Sequence, residues 1–337
     1  MSGKKIDITQ IKGFRIGNAQ SMEGMTGVTV VLLDTENRAG IDISGSGPAA
    51  REPSLLYPTT ADHPIHAIVL SGGSAYGLDA AGGVMRYLEE KGTGYHLVKY
   101  TIPLVCQSSI FDLGIGEDGI RPDVEMGYQA CMDAEENHPV SGNIGAGTGA
   151  TVGKLYGARR GTKSGIGYAA YQYGDLQIGA IVVVNAYGSV RDPQTGEWIG
   201  GLTNDDRTEF IDMVEEMKRV YLQKGEKQSE QAQEEEAFVV SEHGNTTLGI
   251  ILTNAAFSKA DCTRLAKMAG IALPRCIAPV NTPADGDTVY AVSLGQGVEA
   301  DLTMVGTFAA DVLAEAITDA VKSAAMEDEE YLSMLNI

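Results

Sequence analysis

Apolar runs punctuated by glycine and polar turns recur along the whole chain, and their length and period sort them into strands and helices. Residues 25–34 (MTGVTVVLLD) and 39–45 (AGIDISG) are β-rich and flank the polar stretch Thr35-Glu36-Asn37-Arg38, which predicts an opening hairpin. Residues 65–70 (IHAIVL) predict a third strand that stops at Ser71-Gly72-Gly73. Leu78, Ala81, Val84, Met85 and Leu88 then recur at helical spacing up to Gly92. Residues 96–104 read as a strand and 124–137 as an amphipathic helix with Val124, Tyr128, Cys131 and Met132 on one face. Residues 177–185 (QIGAIVVVN) form a strong buried-strand signal, and 246–254 and 288–294 predict further strands. Helices are predicted over 206–222, over 258–270 with Ser258 as N-cap and a closing glycine, and over 301–325.

At 337 residues and 43% hydrophobic content, the chain can bury a sizeable core. Its 42 glycines and 6% aromatic residues predict small aliphatics and closely approaching backbone, in the manner of layered α/β proteins. A formal charge of -20 argues against nucleic acid or an anionic membrane as partner, since both are held through Lys and Arg clusters. Residues 224–236 (KGEKQSEQAQEEE) have almost nothing to bury and read as an acidic, exposed linker. Cys106, Cys131, Cys262 and Cys276 are far apart, without a CxxC pair, which disfavours a zinc site or a dithiol centre. No secretory h-region follows the lysines of MSGKKIDITQ, so a cytoplasmic protein is expected.

The chemistry centres on Glu242-His243-Gly244-Asn245-Thr246-Thr247, where the soft acidic tract meets the apolar run from Leu248. Cleavage of the Asn245–Thr246 bond would leave Thr246 with both a hydroxyl and a free α-amine, the pair used by N-terminal nucleophiles. The plainer reading is two β-branched residues opening a strand. Asn185 closes its apolar strand and either caps a turn or donates to developing negative charge. Asp285 and Asp287 stand two apart, on one side of an extended backbone; a solvated turn is the alternative. Gly142-Asn143-Ile144-Gly145-Ala146-Gly147 and the residues to Ala150 fail as a phosphate loop, because Gly153-Lys154 is followed by Leu155. That glycine burst can instead line a cleft through Asn143, Gly145 and Gly147, or pack as a tight connection. Gly72-Gly73-Ser74-Ala75-Tyr76 misses a nucleophile elbow by one residue, which favours a cleft-lining turn with Tyr76 over Ser74 acting with His63, His66 or His96.

The segments LSGGSAYGLDAAGGV (70–84), GNIGAGTGATVGK (142–154), KSGIG (163–167), GAIVVVNAYGSV (179–190), GNTTLGIILTNA (244–255) and DGDTVYAVSLG (285–295) together resemble the L-aminopeptidase D-amidase/D-esterase family. That family includes β-peptidyl aminopeptidases and nylon-oligomer (6-aminohexanoate) endohydrolases. The resemblance implies a layered α-β-β-α fold of the N-terminal-nucleophile type, related to ornithine acetyltransferase. It implies a single self-processing domain over 1–337, cut into an α chain of 1–245 and a β chain of 246–337, with no cofactor or metal and assembly as a homotetramer. By position it implies Thr246 as nucleophile, Asn245 as the residue left behind, Lys163 and Asn185 beside them, and Asp285 and Asp287 as the acidic pair. The β-peptidyl branch carries serine and a Ser/Glu pair at these positions, so threonine with two aspartates looks like the nylon-hydrolase branch. The implied substrates are short peptides, amino-acid amides or ω-amino-acid oligomers.

Overall fold

The computed structural model describes residues 3–34, 36–227 and 244–336. The strands of its two large sheets are β1 (Lys4–Lys5), β2 (Phe14–Ser21), β3 (Thr26–Leu33), β4 (Arg38–Ile43), β5 (Ala49–Arg51), β6 (Ala67–Ser71), β7 (Val105–Ser109), β8 (Ile166–Tyr173), β9 (Leu176–Asn185), β10 (Thr246–Ala255) and β11 (Thr288–Val298). One sheet runs β1-β8-β9-β10-β11-β4 and the other β2-β3-β6-β7-β5. The helices are α1 (Ala80–Glu90), α2 (Val124–Asp133), α3 (Met213–Lys227), α4 (Lys259–Ala269), α5 (Ala272–Cys276), α6 (Leu302–Ser323) and α7 (Asp328–Ser333).

Side-chain alternation builds the layers. On β9, Ile178, Ala180, Val182 and Val184 pack with residues of α4, α5 and α6, while Ile181 and Val183 face the other sheet. On β3, Val31 and Leu33 point into the same inter-sheet core, and Val28, Val30 and Leu32 meet α1 and α2. The result is an α-β-β-α sandwich whose central strands are buried on both faces, which is why they read as continuous apolar runs. Glycine sets the helix-to-sheet distance: a Cβ on Gly167 of β8 would lie 2.2 Å from the Ala316 carbonyl oxygen of α6.

Several expectations change. Residues 25–34 and 39–45 do not form a hairpin: β3 pairs with β2 and β6, while β4 crosses to the other sheet and pairs with β11. Residues 96–104 hold a small hairpin, Tyr95–Leu97 with Tyr100–Ile102, and the buried strand comes just after it as β7. The helix expected from 206 begins at Met213, and residues 224–227, read as linker, are its final turn. Residues 228–236 of the acidic tract, with Glu242 and His243, lie outside the described residues. Among the described residues no helix is long and apolar enough to cross a membrane.

Topology places the site. β10 lies antiparallel to β9, with Asn185 opposite Thr246, and parallel to β11, with Leu248 opposite Thr288. An isolated parallel bridge pairs Asn245 with Asp285 just beyond the end of that ladder. The end of one strand, the start of the next and the loop before a third therefore converge.

Candidate active site

Thr246 is the first residue of β10, and it is buried with its neighbours Asn245 and Thr247. Its Oγ1 lies 2.5 Å from the carbonyl oxygen of Asn245 and donates to it. The Gly286 N–H donates to the same oxygen at 2.7 Å. The hydroxyl thus lies against the carbonyl that cleavage would attack, and the Gly286 N–H is the donor placed to stabilise negative charge on its oxygen. Gly286 has no room for a side chain, since a Cβ there would lie 2.8 Å from Thr246 Oγ1.

The flanking aspartates are buried and hold backbone. Asp287 accepts from the N–H groups of Thr247 (2.6 Å) and Asn281 (3.0 Å). Asp285 accepts from Thr282 N (2.9 Å), Thr282 Oγ1 (2.5 Å) and, more weakly, Tyr187 N (3.3 Å). Burial and then the neighbouring Asp285 push the Asp287 carboxyl well above its ordinary value.

Asn185 is fully buried, and its carboxamide is orientated by its partners. Oδ1 accepts from Thr151 N (3.0 Å) and Lys154 Nζ (2.9 Å), which turns Nδ2 toward the Phe111 carbonyl at 2.9 Å. Lys154 also donates to the Asn185 carbonyl at 3.2 Å. Burial drives the Lys154 ammonium down to about 7, against the pull of Asp285, Asp112 and Asp287. The chain turns toward this contact at Gly153, where a φ of +78° and the 2.1 Å that would separate a Cβ from the Gly201 carbonyl carbon exclude a side chain.

Sequence reasoning passed over Lys154 and named Lys163. The structure gives Lys163 Nζ three backbone carbonyls, those of Gly147 (3.3 Å), Ala150 (3.0 Å) and Ser164 (2.5 Å), and among the described residues no side-chain partner. The missed signal was Gly153-Lys154 at the close of the glycine burst. Sequence reasoning also passed over Asp112, a buried carboxyl pushed up to about 6 by desolvation, which accepts from Gly73 N and Thr26 Oγ1.

A cavity of about 280 Å³ adjoins this cluster, lined in part by Phe111, Asp112, Thr151, Lys154, Tyr156 and Gly244. The residues expected to line a cleft lie elsewhere or are already engaged. Gly145 N donates to Gln20 Oε1 and Gly147 N to Ile144 O, so neither N–H is open to an oxyanion. Asn143 Nδ2 donates to Ala324 O at 3.3 Å. Tyr76 is exposed, with the Arg121 guanidinium 4.0 Å above its ring. Ser74 has no hydrogen bond to a histidine among the described residues: His66 Nδ1 accepts from Leu104 N, His96 lies against Thr101, and His63 packs on Tyr95. Among the described residues no group of three or more His, Cys, Asp or Glu is placed to hold a metal.

Residues 7–329 match peptidase family S58. An uncharacterized aminopeptidase of Mycobacterium tuberculosis is 36% identical over 94% of each chain. A 6-aminohexanoate-oligomer endohydrolase of Agromyces sp. is 29% identical, over 95% of this chain and 87% of its own. A β-aminopeptidase from Burkholderia sp. superposes with a TM-score of 0.66 at 17% identity, covering 99% and 95% of the two chains. The L-aminopeptidase D-Ala-esterase/amidase from Ochrobactrum anthropi, described as a variant of the N-terminal-nucleophile hydrolase fold, gives 0.65 at 17% identity over 98% and 94%. The four-layer architecture, the match across nearly the whole sequence and the mycobacterial relative agree: the chain belongs to peptidase family S58 and is an aminopeptidase/amidase-type hydrolase.

Proposed function

We propose that the chain cuts itself between Asn245 and Thr246 and that the freed Thr246 is the nucleophile of an amide hydrolase. The observation that carries this reading is the Thr246 hydroxyl 2.5 Å from the Asn245 carbonyl oxygen, with Gly286 N–H on that same oxygen. Thr246 Oγ attacks the Asn245 carbonyl carbon, its proton passes to the amide nitrogen of Thr246, and the C–N bond breaks to leave an ester. Water hydrolyses the ester, so Asn245 ends in a carboxylate and Thr246 gains an α-amine titrating near pH 8.

In turnover the amine takes the hydroxyl proton as Oγ attacks a substrate amide, then delivers it to the leaving amine. Asn185 Nδ2 donates to the oxyanion, and Lys154 and Thr151 keep that carboxamide from flipping by occupying Oδ1. Asp287 anchors the backbone on the far side of the nucleophile through Thr247 N–H. Asp285 offsets the Lys154 charge. Lys163 serves the framework behind the site.

The substrates are short peptides, amino-acid amides or ω-amino-acid oligomers. The Thr246 and Asp285/Asp287 set, and the similarity to 6-aminohexanoate-oligomer endohydrolases, support including the last class. The resemblance supports a homotetramer, which light scattering would measure. The deciding experiment is an intact mass under denaturing conditions. Two species meeting at Asn245 and Thr246 are expected from the natural chain, and one uncut, inactive species from Thr246→Ala. An uncut natural chain, or activity surviving in Thr246→Ala, overturns the reading.

A further inference from the structure

The Gly286 N–H that meets the Asn245 carbonyl sits in a loop held from outside by a second loop. Past the end of the β4–β11 ladder, where Ile43 stands opposite Thr288, the chain runs on as Ser44-Gly45-Ser46-Gly47-Pro48 and crosses to the other large sheet as β5. In this crossing the N–H groups of Ser44 and Gly45 donate to the Asp287 carbonyl at 3.0 and 3.1 Å, and that of Gly47 donates to the Asp285 carbonyl at 2.9 Å. The Asp285 carbonyl and the Gly286 N–H belong to one planar trans peptide, which points them in opposite directions. Gly47 N–H therefore holds one end of the unit whose other end reaches the Asn245 oxygen at 2.7 Å. Hydrogen bonds in such a chain polarise one another, so the Gly47 contact strengthens this donor as well as aiming it.

The peptide needs that hold. Gly286 has no side chain to resist rotation of the plane, and none can be added, because a Cβ would lie 2.8 Å from both Thr246 Oγ1 and the Gly47 carbonyl oxygen. Rotation would carry the N–H off the Asn245 oxygen. Asn185 Nδ2, the other donor of the site, faces the Phe111 carbonyl in the continuous chain. The two glycines of the crossing loop differ in the room they have. A Cβ on Gly45 would lie 2.4 Å from the Asp285 carbonyl oxygen and 2.3 Å from Asp287 N, whereas a Cβ on Gly47 would lie 3.8 Å from that oxygen. A methyl at Gly45 would therefore push on the peptide, and a methyl at Gly47 would not.

We propose that residues 44–48 are the positioning element of self-cleavage, setting the Asp285–Gly286 peptide so that Gly286 N–H meets the oxyanion formed at Asn245. As Thr246 Oγ adds to the Asn245 carbonyl carbon, the C=O electron pair moves onto the oxygen that Gly286 N–H faces. The pair returns as the C–N bond breaks, with the hydroxyl proton taken by the Thr246 nitrogen. This rests on the self-cleavage reading above and adds a division of labour to it. Gly286 N–H, held by this loop, serves the cut, and Asn185 Nδ2, held by Lys154 and Thr151, serves turnover. Gly45 and Gly47 are positioning residues, acting through the peptide and not on the reacting atoms.

The test is the rate of the cut, followed by intact mass after cell-free synthesis is stopped, in the natural chain, Gly45→Ala, Gly47→Pro and Gly47→Ala. Gly45→Ala displaces the peptide and Gly47→Pro removes its N–H anchor; each is expected to slow the cut by at least about tenfold, less than the about 10²–10³ for outright loss of an oxyanion donor. Gly47→Ala keeps the N–H and is expected to cut within about twofold of the natural rate, as an exposed substitution with room for its methyl. Circular dichroism reports folding, and the exposure of Gly47 keeps the test available should Gly45→Ala fail to fold. Once cut, each variant is expected to hydrolyse alanine p-nitroanilide with a kcat per cut chain within about threefold of the natural enzyme, a split that a general loss of stability would not produce. Natural cutting rates in folded Gly45→Ala and Gly47→Pro, equal slowing by Gly47→Ala and Gly47→Pro, or a kcat that falls in step with the cutting rate overturns the positioning role and leaves the self-cleaving hydrolase intact. A natural chain that never cuts itself overturns both.

Discussion

Lys163 belongs to a small ribbon, in which Thr151 stands opposite Lys163 and Val152 opposite Thr162, and Lys154 lies two residues beyond Val152. Both side chains are buried, and desolvation drives both ammonium groups down to about 7. Their partners differ. Lys154 reaches a side-chain acceptor, Asn185 Oδ1, in the field of three carboxylates, whereas Lys163 is saturated by three backbone carbonyls and feels Asp112 alone. A strongly shifted buried lysine is therefore a site candidate only when the group it touches has chemistry of its own.

The largest effect should come from breaking the Lys154 side of this comparison. Lys154→Met is expected to lower kcat by about 10²–10³, the range for loss of one oxyanion donor, because the Asn185 carboxamide loses its orientation. Lys163→Met, assayed where it is folded, should retain most of its activity. Equal losses in the two variants would erase the distinction. Asn185→Ala should fall as far as Lys154→Met, and the double variant little further, since residues acting through one group are not additive. Full additivity in that kinetic cycle would mean that Lys154 works independently of Asn185.

A smaller effect of the opposite kind is expected at Lys163. Lys163→Met takes the donor from the Ser164 carbonyl, while Gly147 O keeps Ala150 N–H and Ala150 O keeps Ser164 N–H, so a loss of about 1–3 kcal/mol is expected for the one carbonyl left unpaired. Denaturant unfolding should register the loss as a lower midpoint with an unchanged slope.

The pH dependence is the finest probe. Each lysine titrates near 7 in the folded chain against an ordinary 10.5, so between those values the unfolded chain binds more protons and stability rises with pH. Asp112 acts in reverse: with a folded value near 6 against 3.8, the folded chain binds more protons in that window and stability falls as pH rises. Unfolding free energies at pH 4, 6.5 and 9 should therefore pass through a minimum near the middle value. Either lysine-to-methionine variant should flatten the upper limb, but only Lys154→Met should alter the pH profile of turnover.

Much of the fold was legible because it is written in local pattern. The runs at 177–185 and 246–254 match β9 and β10 to within a residue at each end, since strands buried on both faces must be apolar throughout. β7 was missed for the converse reason. Its sequence, VCQSS, looks polar, and it is buried because Gln107 Nε2 reaches Ser71 Oγ and Gly77 O while Ser109 pairs with Ser71. The false hairpin at 25–45 was a good local guess defeated by topology, because β3 and β4 belong to different sheets. Of the candidate residues, Thr246, Asn185, Asp285 and Asp287 were found at strand ends, where a polar residue breaking an apolar run is conspicuous. Lys154 was hidden in a glycine-rich stretch weighed only as a phosphate loop.

The sequence by itself determined the central strands at 177–185 and 246–254 and the helices at 258–270 and 301–325, that the interior would be glycine-spaced aliphatic layers, and that a threonine would stand at the mouth of a buried strand. These follow from periodicity and from backbone preferences within a few residues. The tertiary structure alone decided which sheet each strand joined, which of two buried lysines met Asn185, that the Asn245 carbonyl would gather two donors, and that Asn336 would line the cavity. Those outcomes depend on contacts between residues tens to hundreds of positions apart, whose geometry is set by the packing of the whole core and by no local pattern.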